Sequence, residues 1–359
     1  MHDVCDFVES FRKEKGLSYI DVLCMQEHEV KLRRFFGDGI HGEEMLSMFS
    51  CTKPITVTTA LRLYEQGLLG LDDPVEKYLP AAKNMVYMDG DDIKPVKDTL
   101  TVRHLFTMTG GFNYNYTPPA VQALLAKNPQ ADTRSVVECY LQTPLQFSPG
   151  EKFQYSLCHD VLGAVMEVAS GMRLSALVKR EIFDPLGMAN AHFDYRPGEK
   201  LLDMYQYYIK KITKTENFAP ISPNYESGGS ALFCTVADYG KFADALACGG
   251  KAYNGYQLLQ PETIALLRSE QIAKLQIQNE FTCVQGEDYG YGLGVRTRVK
   301  PTPWGLLPGE FGWDGAAGSY VMVDPNRHIS VFVGMHIKGW PKLLDGFHLR
   351  LVEEIYKYL

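Results

Sequence analysis

The chain lacks most of the motifs that give a hydrolase or a metalloprotein away. It has no G-x-S-x-G, which excludes the nucleophile elbow of an α/β-hydrolase. It has no H-E-x-x-H, and its nine histidines are scattered without metal-ligand spacing. None of its eight cysteines (Cys5, Cys24, Cys51, Cys139, Cys158, Cys234, Cys248 and Cys283) form a C-x-x-C pair, so free, largely buried thiols in a reducing compartment are expected. No apolar run is long enough to span a bilayer. Residues 1–19 are charged and amphipathic, without a signal-peptide core, and a cytoplasmic protein is expected. An excess of positive charge is missing too. The net charge of -7 argues against nucleic acid as the main partner.

What remains is a chain of 359 residues with 45% hydrophobic and 22% charged content, in the range of soluble globular proteins. Val4, Phe7, Val8 and Phe11 repeat at helical spacing, and Gly16 stops the run. Tyr19 to Met25 and Val30 to Phe36 read as two strands around a polar turn. A helix follows Ser50. From Asp72 to about Cys283 the pattern is mostly helices and loops, clearest at Val121–Lys127, Asp160–Ser170, Leu174–Phe183 and Ala237–Leu246. Strands return at Gly318–Asp324 and His328–Met335, and an amphipathic helix closes the chain. This order predicts an α/β (α+β) fold: one antiparallel sheet built from both termini and flanked by helices, plus a mainly helical lobe. The corresponding domains are 1–75 with 284–359, and 76–283, with a site in the cleft between them.

The chemistry starts at Ser50-Cys51-Thr52-Lys53. A hydroxyl at a helix start feels the positive end of the helix dipole and unpaired backbone N–H groups. A lysine three residues on lies on the same helix face. Such a pair can make serine nucleophilic without histidine. Ser10 to Lys13 has the same spacing but sits inside another helical pattern. A second element is Tyr155-Ser156-Leu157, which follows the turn Ser148-Pro149-Gly150 and precedes a helix, so its phenol is free to point into a cleft. The third is Trp313-Asp314-Gly315-Ala316, whose glycine permits close backbone approach at a strand edge. Taken singly, Tyr155 could be an ordinary packed tyrosine, and Trp313 a core indole at a bulge.

Together these residues resemble the serine β-lactamase and penicillin-recognising superfamily, on its class C and D-alanyl-D-alanine carboxypeptidase side, and most of all the family VIII carboxylesterases. Landmarks without chemistry of their own extend the resemblance: Leu68 to Val75, Thr101 to Phe112, and Phe183-Asp184-Pro185-Leu186-Gly187-Met188. The resemblance implies that Ser50 is acylated, that Lys53 and Tyr155 move its proton, and that the N–H groups of Ser50 and Ala316 form the oxyanion hole. Which of Lys53 and Tyr155 is the resting base stays open. It implies no cofactor and no metal.

Two positions depart from the penicillin-directed members. Leu157 stands where Tyr-x-Asn or Ser-x-Asn has its amide, and Trp313 opens a motif that would otherwise carry a cation for a substrate carboxylate. Both departures are shared with the family VIII esterases. They point to a small uncharged ester, with Trp313, Gly315, Leu157, Phe112 and Tyr114 lining its pocket. Tyr225, Glu226, Gly228 and Gly229 form another candidate rim, read more readily as an ordinary loop. Asp314 would add the wrong sign if it faced the site, and Asp160 reads as a helix-terminal hydrogen-bonding residue. The expected partner is a small-molecule ester or amide substrate, with neither nucleic acid nor membrane. The alternatives are a β-lactamase or D-alanyl peptidase, an acyltransferase, and a non-catalytic binding protein on the same fold.

Overall fold

The computed structural model describes residues 1–37, 42–273, 275–277, 287–340, 344 and 346–359. Cys283 and the expected boundary beside it lie outside these. Helix α1 (His2–Lys15) ends at Gly16, whose left-handed φ of 67° closes the last turn, as expected of glycine after a helix. Strands β1 (Tyr19–Gln26) and β2 (Glu29–Gly37) follow. The further elements that frame the site are α2 (Thr52–Glu65), α3 (Cys158–Ser170), α4 (Val236–Ala247), β3 (Tyr289–Tyr291), β4 (Arg296–Arg298), β5 (Phe311–Asp314), β6 (Tyr320–Asp324), β7 (Ile329–Gly334) and α5 (Phe347–Tyr356).

These strands form a seven-stranded antiparallel sheet in the order β3-β4-β5-β6-β7-β1-β2. The N-terminal hairpin joins the C-terminal meander through β1 and β7, so the sheet is built from both termini, as the sequence predicts. Alternation along each strand splits the side chains between two cores. Ile20, Val22, Met322, Val331 and Val333 pack with Val8 and Phe11 of α1 and with Phe347 and Leu351 of α5. On the opposite face Leu23, Val321 and Phe332 meet Tyr239 and Phe242 of α4, and this core runs on into the helical part of the chain. Helix α4 comes from the long middle segment, yet it lies directly on β1, β6 and β7.

The middle of the chain is less purely helical than its pattern suggests. Two hairpins interrupt it, Val86–Asp89 with Asp92–Pro95 and Met204–Tyr208 with Lys211–Thr215. Both are largely exposed, so neither leaves an apolar alternation to read. The second turns through Ile209 and Lys210, both left-handed without being glycine, so the usual turn signal is missing as well. The helix expected over Leu174–Phe183 runs on through a π-helical stretch to Leu186 and stops at Gly187, although Asp184-Pro185-Leu186-Gly187 reads as a turn in the sequence.

Two contacts outside the cores fix the sheet. Asp244 of α4, almost fully buried, accepts from the backbone N–H of His28 and bonds its imidazole at 2.7 Å, which clamps the β1–β2 turn. Across β4, β5 and β6, Arg296 and Arg298 are buried around Glu310, with closest approaches of 3.4 and 3.6 Å. Arg296 also donates to the Val321 carbonyl and pairs with Asp314. Removing one partner of a buried ionic group leaves an uncompensated charge, which typically costs about 3–5 kcal/mol. Glu310→Ala is therefore expected to lower the unfolding free energy by roughly that amount. Chemical denaturation measures it, and a loss below about 1 kcal/mol would show that the network does not hold these strands.

Candidate active site

Ser50 is set on a short 3-10 turn, Phe49–Cys51, that leads into α2. The helix proper starts two residues later than the serine, which sits in the tight turn before it. Phe49 holds a left-handed φ of 46°, an unfavourable conformation for a bulky residue and of the kind that clusters at functional sites. Surrounding bonds impose it. Met48 N–H donates to the Leu232 carbonyl, Leu232 N–H donates to Thr52 Oγ1, and the Tyr239 hydroxyl donates to the Cys51 carbonyl at 2.7 Å.

Lys53, in the first turn of α2, is wholly buried. Its Nζ donates to Ser50 Oγ at 3.0 Å, to the Gly229 carbonyl at 3.0 Å and to the Tyr114 hydroxyl at 3.2 Å. Tyr155 lies on the loop between the two-residue strand Lys152–Phe153 and α3, where the sequence puts it. Its hydroxyl is 2.7 Å from Ser50 Oγ, and Lys53 Nζ sits 4.7 Å from its ring centroid. Ser50 Oγ thus stands within hydrogen-bond distance of two side chains, Lys53 from its own helix and Tyr155 from a separate segment. Ser10 and Lys13 remain on α1, where Lys13 pairs with Glu9.

Trp313 of β5 completes the group. Its indole N–H donates to the Tyr155 hydroxyl at 3.2 Å, and the two rings stack at 5.5 Å. Tyr114 stacks on the other side of Tyr155 at 5.3 Å. Burial, followed by the neighbouring Tyr155, pushes the Tyr114 phenol well up, which keeps it a neutral acceptor for Lys53. Asp314 points away from the site. Alternation along β5 turns it to the opposite face, where it pairs with Arg296.

Gly315 is needed for steric reasons. A Cβ there would lie 2.7 Å from the Met48 carbonyl oxygen, closer than real Cβ contacts allow. Its N–H is spent on the Ser319 carbonyl at 2.7 Å, which leaves Ala316 N–H as the next donor along the strand edge. Leu157 and Phe112 are buried and, with Asn113, Pro118 and Tyr140, line a cavity of about 150 Å³ beside the aromatic loop. Ser50, Lys53, Tyr114, Tyr155 and Trp313 are not among the residues that line it.

Sequence reasoning misses two contributions. The pattern marks Gly229 only as part of a loop rim, yet its carbonyl holds Lys53. Asp160 is fully buried and accepts from Tyr225 and Ser227, on a segment remote in sequence. His159, beside it, bonds the Phe106 carbonyl through Nε2, and burial followed by Lys53 pushes it down to about 3. It stays neutral and has no acid–base role near neutral pH. A Ser-x-Asn sequence does occur at Ser222-Pro223-Asn224, but its side chains bond the Ala131 and Gln130 carbonyls and not the Ser50 group.

A serine held by a lysine and a tyrosine, beside the edge of an antiparallel sheet, is the geometry found here, and residues 8–352 match the Beta-lactamase family. The chain belongs to the beta-lactamase family. It is 27% identical over 325 residues to esterase EstB of Burkholderia gladioli, which covers 83% of this chain and 77% of that protein. It is 26% identical over 313 residues to protein Rv1367c of Mycobacterium tuberculosis, covering 82% and 77%. Among solved structures, EstCE1 superposes with a TM-score of 0.81 at 24% identity, covering 99% of this chain and 98% of that one, a likeness of fold. The protein is a serine hydrolase of this family.

Gly315→Ala tests how closely β5 must approach the nucleophile turn. The added methyl group is expected to displace the strand from Met48 and slow fluorophosphonate labelling of Ser50 by about 10²-fold, since misplacement by 1 Å can cost that much. Labelling at the wild-type rate would show that the close approach is dispensable.

Proposed function

We propose that this hydrolase is a carboxylesterase that cleaves small uncharged esters through an acyl-enzyme on Ser50. One observation carries the reading. Where penicillin-directed members would hold a substrate carboxylate with a cation, this chain has Trp313, whose N–H is engaged with the Tyr155 hydroxyl at 3.2 Å. An indole cannot neutralise a carboxylate, whereas the stack of Tyr114, Tyr155 and Trp313 suits an uncharged acyl or alkoxy group. The similarity to an esterase across most of the chain supports the same reading.

In the proposed reaction Ser50 Oγ forms a bond to the ester carbonyl carbon while its proton passes to the Lys53–Tyr155 pair. The carbonyl π electrons move onto oxygen, and the resulting oxyanion faces the N–H groups of Ser50 and Ala316. When the tetrahedral intermediate collapses, its bond to the alkoxy oxygen breaks, and the departing alcohol takes the proton from the pair. Water repeats the sequence: it loses a proton to the pair, bonds to the acyl carbon and releases Ser50, which recovers its proton. Trp313, Gly315, Leu157, Phe112 and Tyr114 shape the acyl and alkoxy subsites.

Hydrolysis of p-nitrophenyl esters from acetate to octanoate tests this. Ser50→Ala should abolish turnover while the protein keeps its melting temperature. Tyr155→Phe should lower kcat by about 10²–10⁴-fold, the usual contribution of a positioned acid–base group. Full activity in Ser50→Ala would sink the proposal. Nitrocefin turned over faster than every ester would reassign the enzyme to β-lactams, and ester formation with added alcohols would mark it as an acyltransferase.

A further inference from the structure

We propose that Asp160 is the buried countercharge of Lys53, a positioning residue that faces the lysine across Gly229 and holds its amino group in place against Ser50. Only the catalytic part of this inference rests on the function proposed above.

Asp160 stands in the first turn of α3, but its carboxylate takes its side-chain hydrogen bonds from a distant segment. Oδ1 accepts from the Tyr225 hydroxyl at 2.6 Å and from Ser227 Oγ at 2.5 Å. Both donors favour the ionised form. Oδ2 is buried and has no hydrogen-bond partner among the described residues. A Cβ placed on Gly229 would lie 2.9 Å from this oxygen and 3.3 Å from Lys53 Nζ. The free carboxylate oxygen and the lysine therefore face each other through the space that glycine leaves open.

Lys53 needs such a partner. Its acceptors, Ser50 Oγ, Tyr114 hydroxyl and the Gly229 carbonyl, are all neutral, and the side chain is wholly buried. A buried charge without compensation is expensive. The segment that binds Asp160 is also the one that holds Lys53. Gly229 N–H donates to Ser227 Oγ at 3.2 Å, while Gly229 gives its carbonyl to the lysine. Burial raises the Asp160 acid on balance, and its bonds to Ser227 and Tyr225 and the nearby Lys53 each work in the opposite direction. Its remaining titratable neighbours, Tyr114, Tyr116, Tyr140, Tyr225 and Cys158, are all shifted up, mainly by burial, and stay neutral.

A double-mutant cycle in thermal denaturation separates this pairing from catalysis. Asp160→Asn keeps the acceptor for Tyr225 and Ser227, and Lys53→Met keeps the stem. Each single variant is expected to melt on the order of 5 °C or more below wild type, because it strands the other charge. The double variant should recover at least half of the summed loss. Strictly additive losses would overturn the pairing. If Asp160→Asn does not fold, the cycle is read by whether adding Lys53→Met restores folded protein, and failure to restore it overturns the pairing equally. In turnover, Asp160→Asn should lower kcat by about 10²-fold with KM within a few-fold of wild type. A wild-type kcat would refute the positioning role. Fluorophosphonate labelling of wild-type Ser50 checks the hydrolase reading separately, and the thermal cycle stands whatever that labelling shows.

Discussion

A lysine buried without any exposure at the start of a helix is the constraint on which the site depends. Taking an amino group out of water is tolerable only if every donor finds an acceptor and the surroundings compensate its charge. The fold meets the first demand with three acceptors from three segments: Ser50 on the nucleophile turn, Tyr114 on the aromatic loop and Gly229 on the loop before α4. Satisfying Lys53 therefore draws these segments together and sets the position of Ser50. The left-handed Phe49 is sustained by the same convergence, because Leu232 and Tyr239 anchor the turn from the far side.

The sheet supplies the second half of the site. Its strand β5 carries Trp313 to the Tyr155 hydroxyl, and Gly315 lets the strand end close on Met48. Pleating makes this clean: Trp313 turns toward the site, while Asp314 turns to Arg296 and the buried ionic network around Glu310. One strand thus separates an aromatic face beside Ser50 from a charged structural face. That separation is why the acidic residue of the Trp-Asp-Gly motif puts no negative charge beside Ser50.

Much of this is legible in the order of residues alone. Helix–hairpin–helix at the start and hairpin–helix at the end predict a sheet shared by both termini, because strand alternation and helical periodicity are local signals. The Ser-x-x-Lys spacing places Lys53 within reach of Ser50, since residues three apart on a helical turn are neighbours. The exposed hairpins at 86–95 and 204–215 are not legible, because they bury little and leave no apolar alternation. Asp160 is hidden for a different reason. A carboxylate in the first turn of a helix suits a local hydrogen bond, and nothing nearby in sequence signals that Tyr225 and Ser227 will claim it.

By itself the sequence pointed to Ser50 and Lys53 as a pair, to the family resemblance and to the order of elements, because each rests on short spacings or ordered landmarks. Only the tertiary structure decided which acceptors hold Lys53, which way Asp314 points and which distant donors claim Asp160. Tyr155 is 105 positions from Ser50 in the chain, while Tyr114 and Gly229 are 61 and 176 positions from Lys53. No local propensity encodes such relations, since they arise only when burial brings the segments into one close-packed interior.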